Sequence, residues 1–88
     1  MKYYYIKRKK LYARGENLFD NYIYKDGKWI KDTKNIVSDR LLGYDPSEPP
    51  DSPYGFGNTD MMDDIEEITE EEFKRRISLI IRENFGIK

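Results

Sequence analysis

The chain contains neither cysteine nor histidine. Without cysteine there is no disulfide, and without either residue the ligand sets of zinc, haem and iron–sulfur centres are missing. The same absences remove the commonest general base and the strongest nucleophile used by enzymes. Ser38, Ser47, Ser52 and Ser78 have no evident base beside them, and no glycine-rich phosphate loop leads into a helical pattern. No apolar run approaches the roughly 18–20 residues that cross a bilayer. Lys7-Arg8-Lys9-Lys10 falls where the apolar core of a secretory leader would lie. The expectation is a non-catalytic cytoplasmic protein with no cofactor, no metal and no membrane segment. A small-molecule ligand is not indicated either. Abundant Lys, Ile, Tyr, Asn, Asp and Glu, with no Gln, suggests an AT-rich bacterial or phage gene.

What the chain does have is charge, unevenly placed. Residues 1–34 carry ten Lys/Arg against four Asp/Glu. From Asp45 to Glu72 there are eleven carboxylates and no basic side chain. The net charge of −1 therefore conceals a basic front and an acidic back. Such halves either fold against each other or present opposite fields to partners. At 88 residues the chain is one domain, since a second would be too small to bury its own core. Eight Tyr, four Phe and one Trp compensate for a lean aliphatic content.

Residues 1–34 read as sheet. Tyr3-Tyr4-Tyr5-Ile6 and Leu11-Tyr12-Ala13 are strand formers, and Gly15-Glu16-Asn17 reads as a turn. Asp26-Gly27, between Tyr22-Ile23-Tyr24 and Trp29-Ile30, is the signature of a two-residue hairpin loop. Residues 35–43 suit two turns of helix, with Asn35 as N-cap, Gly43 past the end, and Ile36, Val37, Leu41 and the stem of Arg40 facing inward. All four prolines (Pro46, Pro49, Pro50, Pro53) fall in 44–60, which reads as a long acidic loop. Met62 to Ile68 is read as a short strand over a helical alternative. Thr69 and Glu72 form a capping box. Phe73, Ile77, Ile80, Ile81 and Phe85 then keep helical spacing, leaving Leu79 exposed. Glu70/Lys74, Glu71/Arg75 and Glu72/Arg76 are helical ion pairs in the favourable order.

The fold class expected is α+β: a small, mostly antiparallel β-meander of three to five strands. One amphipathic C-terminal helix packs on one face. A short central helix and the Pro-rich loop cover an edge or end.

Two surfaces stand out. The first is acidic and aromatic: Tyr44, Asp45, Glu48, Asp51, Tyr54, Phe56, Asp60, Asp63 and Asp64. Clustered carboxylates steer association with a basic surface on another protein, as in inhibitor-like or accessory proteins. The same charges would equally serve to keep a proline-rich loop solvated. The second is basic and aromatic: Tyr3, Tyr5, Lys7, Arg8, Lys9, Lys10, Tyr12 and Arg14. Cations for phosphates and rings for stacking are what sheet-based single-strand nucleic-acid binders use. Lysine on an edge strand also simply discourages aggregation, and a pI near 5.5 weighs against a dedicated nucleic-acid protein. A self-associating subunit is the third expectation.

Overall fold

The computed structural model describes residues 1–47, 49 and 57–86, with the last six described for their backbone alone. Four strands follow one another as an antiparallel meander: β1 (Lys2–Ile6), β2 (Leu11–Gly15), β3 (Asn21–Lys25) and β4 (Lys28–Lys31). Helices α1 (Ile36–Leu42) and α2 (Thr59–Asp63) come next, then strand β5 (Ile65–Ile68) and helix α3 (Glu70–Gly86). Strand β5 pairs antiparallel with β1, so the five-stranded sheet runs β4-β3-β2-β1-β5. This is the α+β architecture that the strand-rich front and the closing amphipathic segment imply.

Local chemistry sets the turns. Asp26 (φ 53°) and Gly27 (φ 79°) both take positive φ, as a type I′ turn requires. Helix α1 ends at Gly43 (φ 69°), where a Cβ would lie 2.8 Å from the Asn58 nitrogen, so the position needs both the dihedral freedom and the empty space of glycine. Its start departs from expectation. Asn35 sits in the left-handed region and makes no side-chain cap. Asp32 does the capping instead: Oδ1 accepts from the Ile36 N–H at 3.0 Å and Oδ2 from the Val37 N–H at 2.9 Å. A carboxylate reaching forward from the end of β4 thus serves two orphan donors and the positive end of the helix together.

Strand alternation divides the side chains between two faces. Tyr4, Ala13, Ile23 and Ile30 align on one, joined by Ile6 opposite Leu11. This is the core face: Tyr4, Ile6, Ala13, Ile23 and Val37 are buried, with Leu11, Ile36, Leu41 and Ile65 packed around them. Helix α1 therefore roofs the centre of the sheet, where the sequence suggested an edge or end. Its residues 36, 37, 40 and 41 share one helical face, and that apolar stripe needs a broad surface to cover.

The opposite face carries a row of rings, Tyr5-Tyr12-Tyr24-Trp29, with Tyr3 beside it. Helix α3 packs here through Phe73, whose ring lies 5.3 Å from those of Tyr3 and Trp29, 5.4 Å from Tyr24 and 5.6 Å from Tyr12. Tyr3 and Trp29 stand on strands three steps apart, about 14 Å of sheet, yet their centroids are 6.2 Å apart. The side chains on this face converge around Phe73. Further along α3, Leu79 and Ile80 are nearly half exposed (46% and 45%). Exposure of Leu79 follows its position off the stripe. Ile80 was expected inside, but the rings that hold Phe73 do not reach it. The side chains of Ile81 and Phe85 lie outside the described set.

Of the Met62–Ile68 segment read as a strand, Ile65–Ile68 forms β5, while the one-turn helix α2 precedes it and begins at Thr59, inside the stretch read as loop. Asn58 caps α2, its Oδ1 accepting from the N–H groups of Asp60 (2.9 Å) and Met61 (3.2 Å). Thr69 caps α3 by accepting from the Glu72 N–H at 3.0 Å. The Glu72 carboxylate instead holds Arg76 at 2.8 Å and Arg75 at 2.5 Å, so Arg75 pairs with Glu72 rather than with Glu71.

Candidate protein-interaction surface

Asp64 organises the acidic side of the molecule. It terminates α2 and leads into β5, and its side chain is 1% exposed. Arg40, on the inner face of α1, donates from Nε to Asp64 Oδ2 at 2.6 Å and from a terminal guanidinium nitrogen to the Ile36 carbonyl at 3.0 Å. The Arg8 N–H donates to Asp64 Oδ1 at 2.8 Å, with the Arg8 Nε 3.8 Å from the same oxygen. The Asp64 carbonyl accepts from the Lys7 N–H at 2.8 Å. Burial works against ionisation of this carboxyl. The hydrogen bonds from Arg40 and Arg8, together with both positive charges, outweigh it and hold the group below the usual carboxylate range.

Asp64 is thus a correction to the acidic surface expected from sequence: it faces inward and is neutralised within the fold. Its neighbours do reach solvent. Asp60 and Asp63 are exposed on α2, where with Lys7 and Arg8 they line a shallow depression of about 250 Å³. Glu66 and Glu67 are exposed on β5, and the Lys2 Nζ approaches Glu67 at 3.8 Å. Met62, 46% exposed, lies beside Ile65 on the core-face side. Tyr44 and Asp45 follow α1 and are half-buried. The Tyr44 N–H donates to the Asp39 carbonyl at 2.7 Å. Asp45 Oδ1 accepts from the hydroxyl (2.6 Å) and N–H (2.9 Å) of Ser47, which lower its proton affinity. Glu48, Asp51, Tyr54 and Phe56 lie outside the described residues.

The basic-aromatic set divides in two. Lys7, Arg8, Lys9 and Lys10 form the β1–β2 turn at one end of the sheet. The rings lie on the α3 face, where they hold one another. Tyr3 stacks on Phe73 and donates to Glu70 at 3.2 Å, Tyr5 lies 4.9 Å from Tyr12, and Arg76 covers Tyr5 at 5.5 Å. Arg14 lies 4.1 Å over the Trp29 ring, a cation–π contact within the fold.

A third feature was not read from the sequence. Leu11, Ile23, Ile30 and Ile36 floor an apolar cleft of about 250 Å³ between the β4 side of the sheet and the start of α1, with Lys25, Lys31 and Lys34 along its rim. Ile30 is 50% exposed there. The even spacing of Lys25, Lys28, Lys31 and Lys34 was the available signal. Its meaning depends on β4 being an edge strand, which pairing alone reveals. Arg40 was missed as a charged group, though an arginine on the inner face of a short helix needs a buried acid to meet it.

Among the described residues no three His, Cys, Asp or Glu side chains are grouped so as to hold a metal ion, and no helix is long and apolar enough to cross a membrane. No protein-family model, curated protein or solved structure matches the chain.

Proposed function

We propose that this protein is a non-catalytic protein-interaction module that offers its acidic α2–β5 edge to a basic surface on another protein. One observation supports the reading above the others. Asp60, Asp63, Glu66 and Glu67 are exposed immediately around a buried Asp64 whose two oxygens are both held. Four carboxylates on a backbone anchored in this way keep a fixed spacing. Fixed spacing lets like charges select a partner rather than merely attract cations. Met62 adds an apolar contact within the same patch. An inhibitor-like or accessory role would use such an edge to occupy a partner's cationic site.

The test is affinity capture at two salt concentrations, about 50 mM and about 500 mM, which differ severalfold in screening. Immobilised wild type should retain a basic protein at the lower concentration and release it at the higher. D60N/D63N/E66Q/E67Q should lose it, while Asp26→Asn, in the β3–β4 turn at the opposite edge of the sheet, should keep it. Retention by the quadruple variant would exclude the α2–β5 edge as the recognition surface.

A further inference from the structure

The two edges of the sheet carry opposite charge. On β4, Lys28 and Lys31 are exposed, and on β5 so are Glu66 and Glu67. Lysine on an edge normally blocks strand addition because a second lysine-bearing edge is repelled. Here the far edge of the same molecule bears the charge that removes that block.

The backbone agrees. Lys25 and Lys28 close the two-residue turn as a mutually bonded pair, so by antiparallel alternation Trp29 and Lys31 turn their N–H and C=O groups outward. At the other edge the Lys7 N–H bonds the Asp64 carbonyl, and the same alternation turns the groups of Ile65 and Glu67 outward. Strands β2, β4 and β5 all run one way, with β1 and β3 running the other. A copy displaced by translation alone therefore sets its β5 parallel to β4, with the core faces of both sheets on the same side. In a parallel pair, an outward-turned residue bonds to the two residues flanking its opposite number. With Lys31 opposite Glu66, its partners are Ile65 and Glu67, whose groups already face out. The same register sets half-exposed Ile30 opposite Ile65. Its one like-charged pair is Asp32 opposite Glu67, of which the Asp32 carboxylate already accepts from two α1 N–H groups and Glu67 lies 3.8 Å from the Lys2 Nζ. The register also brings Met62 toward the apolar cleft beside Ile30. A two-fold pairing of β5 with β5 in the bonding register sets Glu66 opposite Glu66, which destabilises a cross-strand pair, and a two-fold pairing of β4 with β4 uses neither Glu66 nor Glu67.

We propose that the protein associates head to tail with copies of itself, the lysine-bearing β4 edge of one molecule accepting the acidic β5 edge of the next. This rests on the reading that the α2–β5 edge recruits a basic surface, and it identifies that surface as another copy's β4. Such contacts are heterologous and produce open chains rather than a closed dimer. With strands this short, association is weak and concentration-dependent.

Sedimentation equilibrium at protein concentrations up to about 1 mM tests this, with circular dichroism to verify that each variant folds. In low salt the wild type should form species larger than a monomer, and raising salt to about 500 mM should weaken association on the order of tenfold. K28E/K31E has two acidic edges and E66K/E67K two basic ones, so each alone should remain monomeric. An equimolar mixture should associate again, because every edge then finds its opposite. A monomeric wild type, association in either variant alone, or a mixture that stays monomeric would overturn the proposal. Should the wild type stay monomeric yet capture a basic protein that E66K/E67K does not, self-association fails and the proposed function stands.

Discussion

Arg40 Nε and Asp64 Oδ2 lie 2.6 Å apart across 24 residues of sequence, and both side chains are at least nine-tenths buried. This bond ties α1, which roofs the core, to the start of β5, which completes the sheet. It also absorbs one carboxylate of a stretch that sequence alone presents as uniformly outward-facing.

Removing one partner of this pair leaves a buried charge uncompensated. Arg40→Met or Asp64→Leu should each destabilise the fold by about 3–5 kcal/mol. The double variant R40M/D64L should recover much of the loss, since neither charge then remains buried. Urea denaturation of the wild type, both single variants and the double completes the cycle. Additive losses would show that the pair does not act as a unit.

The lowered proton affinity of Asp64 makes stability depend on pH. A group depressed in the folded state contributes stability that is fully present above its unfolded value, about 3.9, and lost as pH falls through its folded value. Thermal unfolding from neutral pH down to about pH 2 should show the wild type losing stability below about pH 4. Asp64→Asn should start lower and fall less over the same window. Parallel curves would remove Asp64 as a source of the acid sensitivity.

Phe73 fastens α3 to the sheet through four rings at 5.3–5.6 Å. Phe73→Ala should cost about 3–5 kcal/mol and diminish the near-ultraviolet circular dichroism of the Tyr/Trp cluster. Leu79→Ser and Ile80→Ser, at exposed positions on the same helix, should each stay within about 0.5 kcal/mol. Equal losses at all three positions would mean that the helix is held along its whole length.

Asp32 caps α1 although Asn35 occupies the adjoining position. Asp32→Ala should cost about 1 kcal/mol, within the usual range for a lost cap. Asn35→Gly should be neutral or mildly stabilising, because Asn35 has φ 56° and glycine adopts that conformation without strain. Chemical denaturation of both variants measures this, and a larger loss at Asn35 than at Asp32 would reverse the assignment.

The elements legible in the sequence are those specified by near neighbours. Asp26-Gly27 announced its hairpin because positive φ at two successive positions is a local demand. Thr69 with Glu72, followed by apolar residues at helical spacing, marked the start of α3 within one turn. Gly43 marked the end of α1 for the same kind of reason. Asn35 misled because a residue at the usual cap position is not a cap until its side chain points at the first N–H groups. Here the chain leaving β4 had already placed Asp32 there. The acidic surface was partly legible: Asp60 and Asp63 do reach solvent, whereas Asp64, a single residue further on, does not.

Residue order alone established the strand-rich cationic front, the turns, the closing helix and the segregation of charge between the two halves. These follow from backbone sterics and from residues within about four positions of one another. Tertiary structure decided which helix covers which face, that four rings meet at Phe73, that Asp64 turns inward to Arg40, and that lysines and glutamates end up on opposite edges of one sheet. Each depends on which strands lie side by side. Burial and pairing across the sheet set that order, and neither exists until distant segments have met.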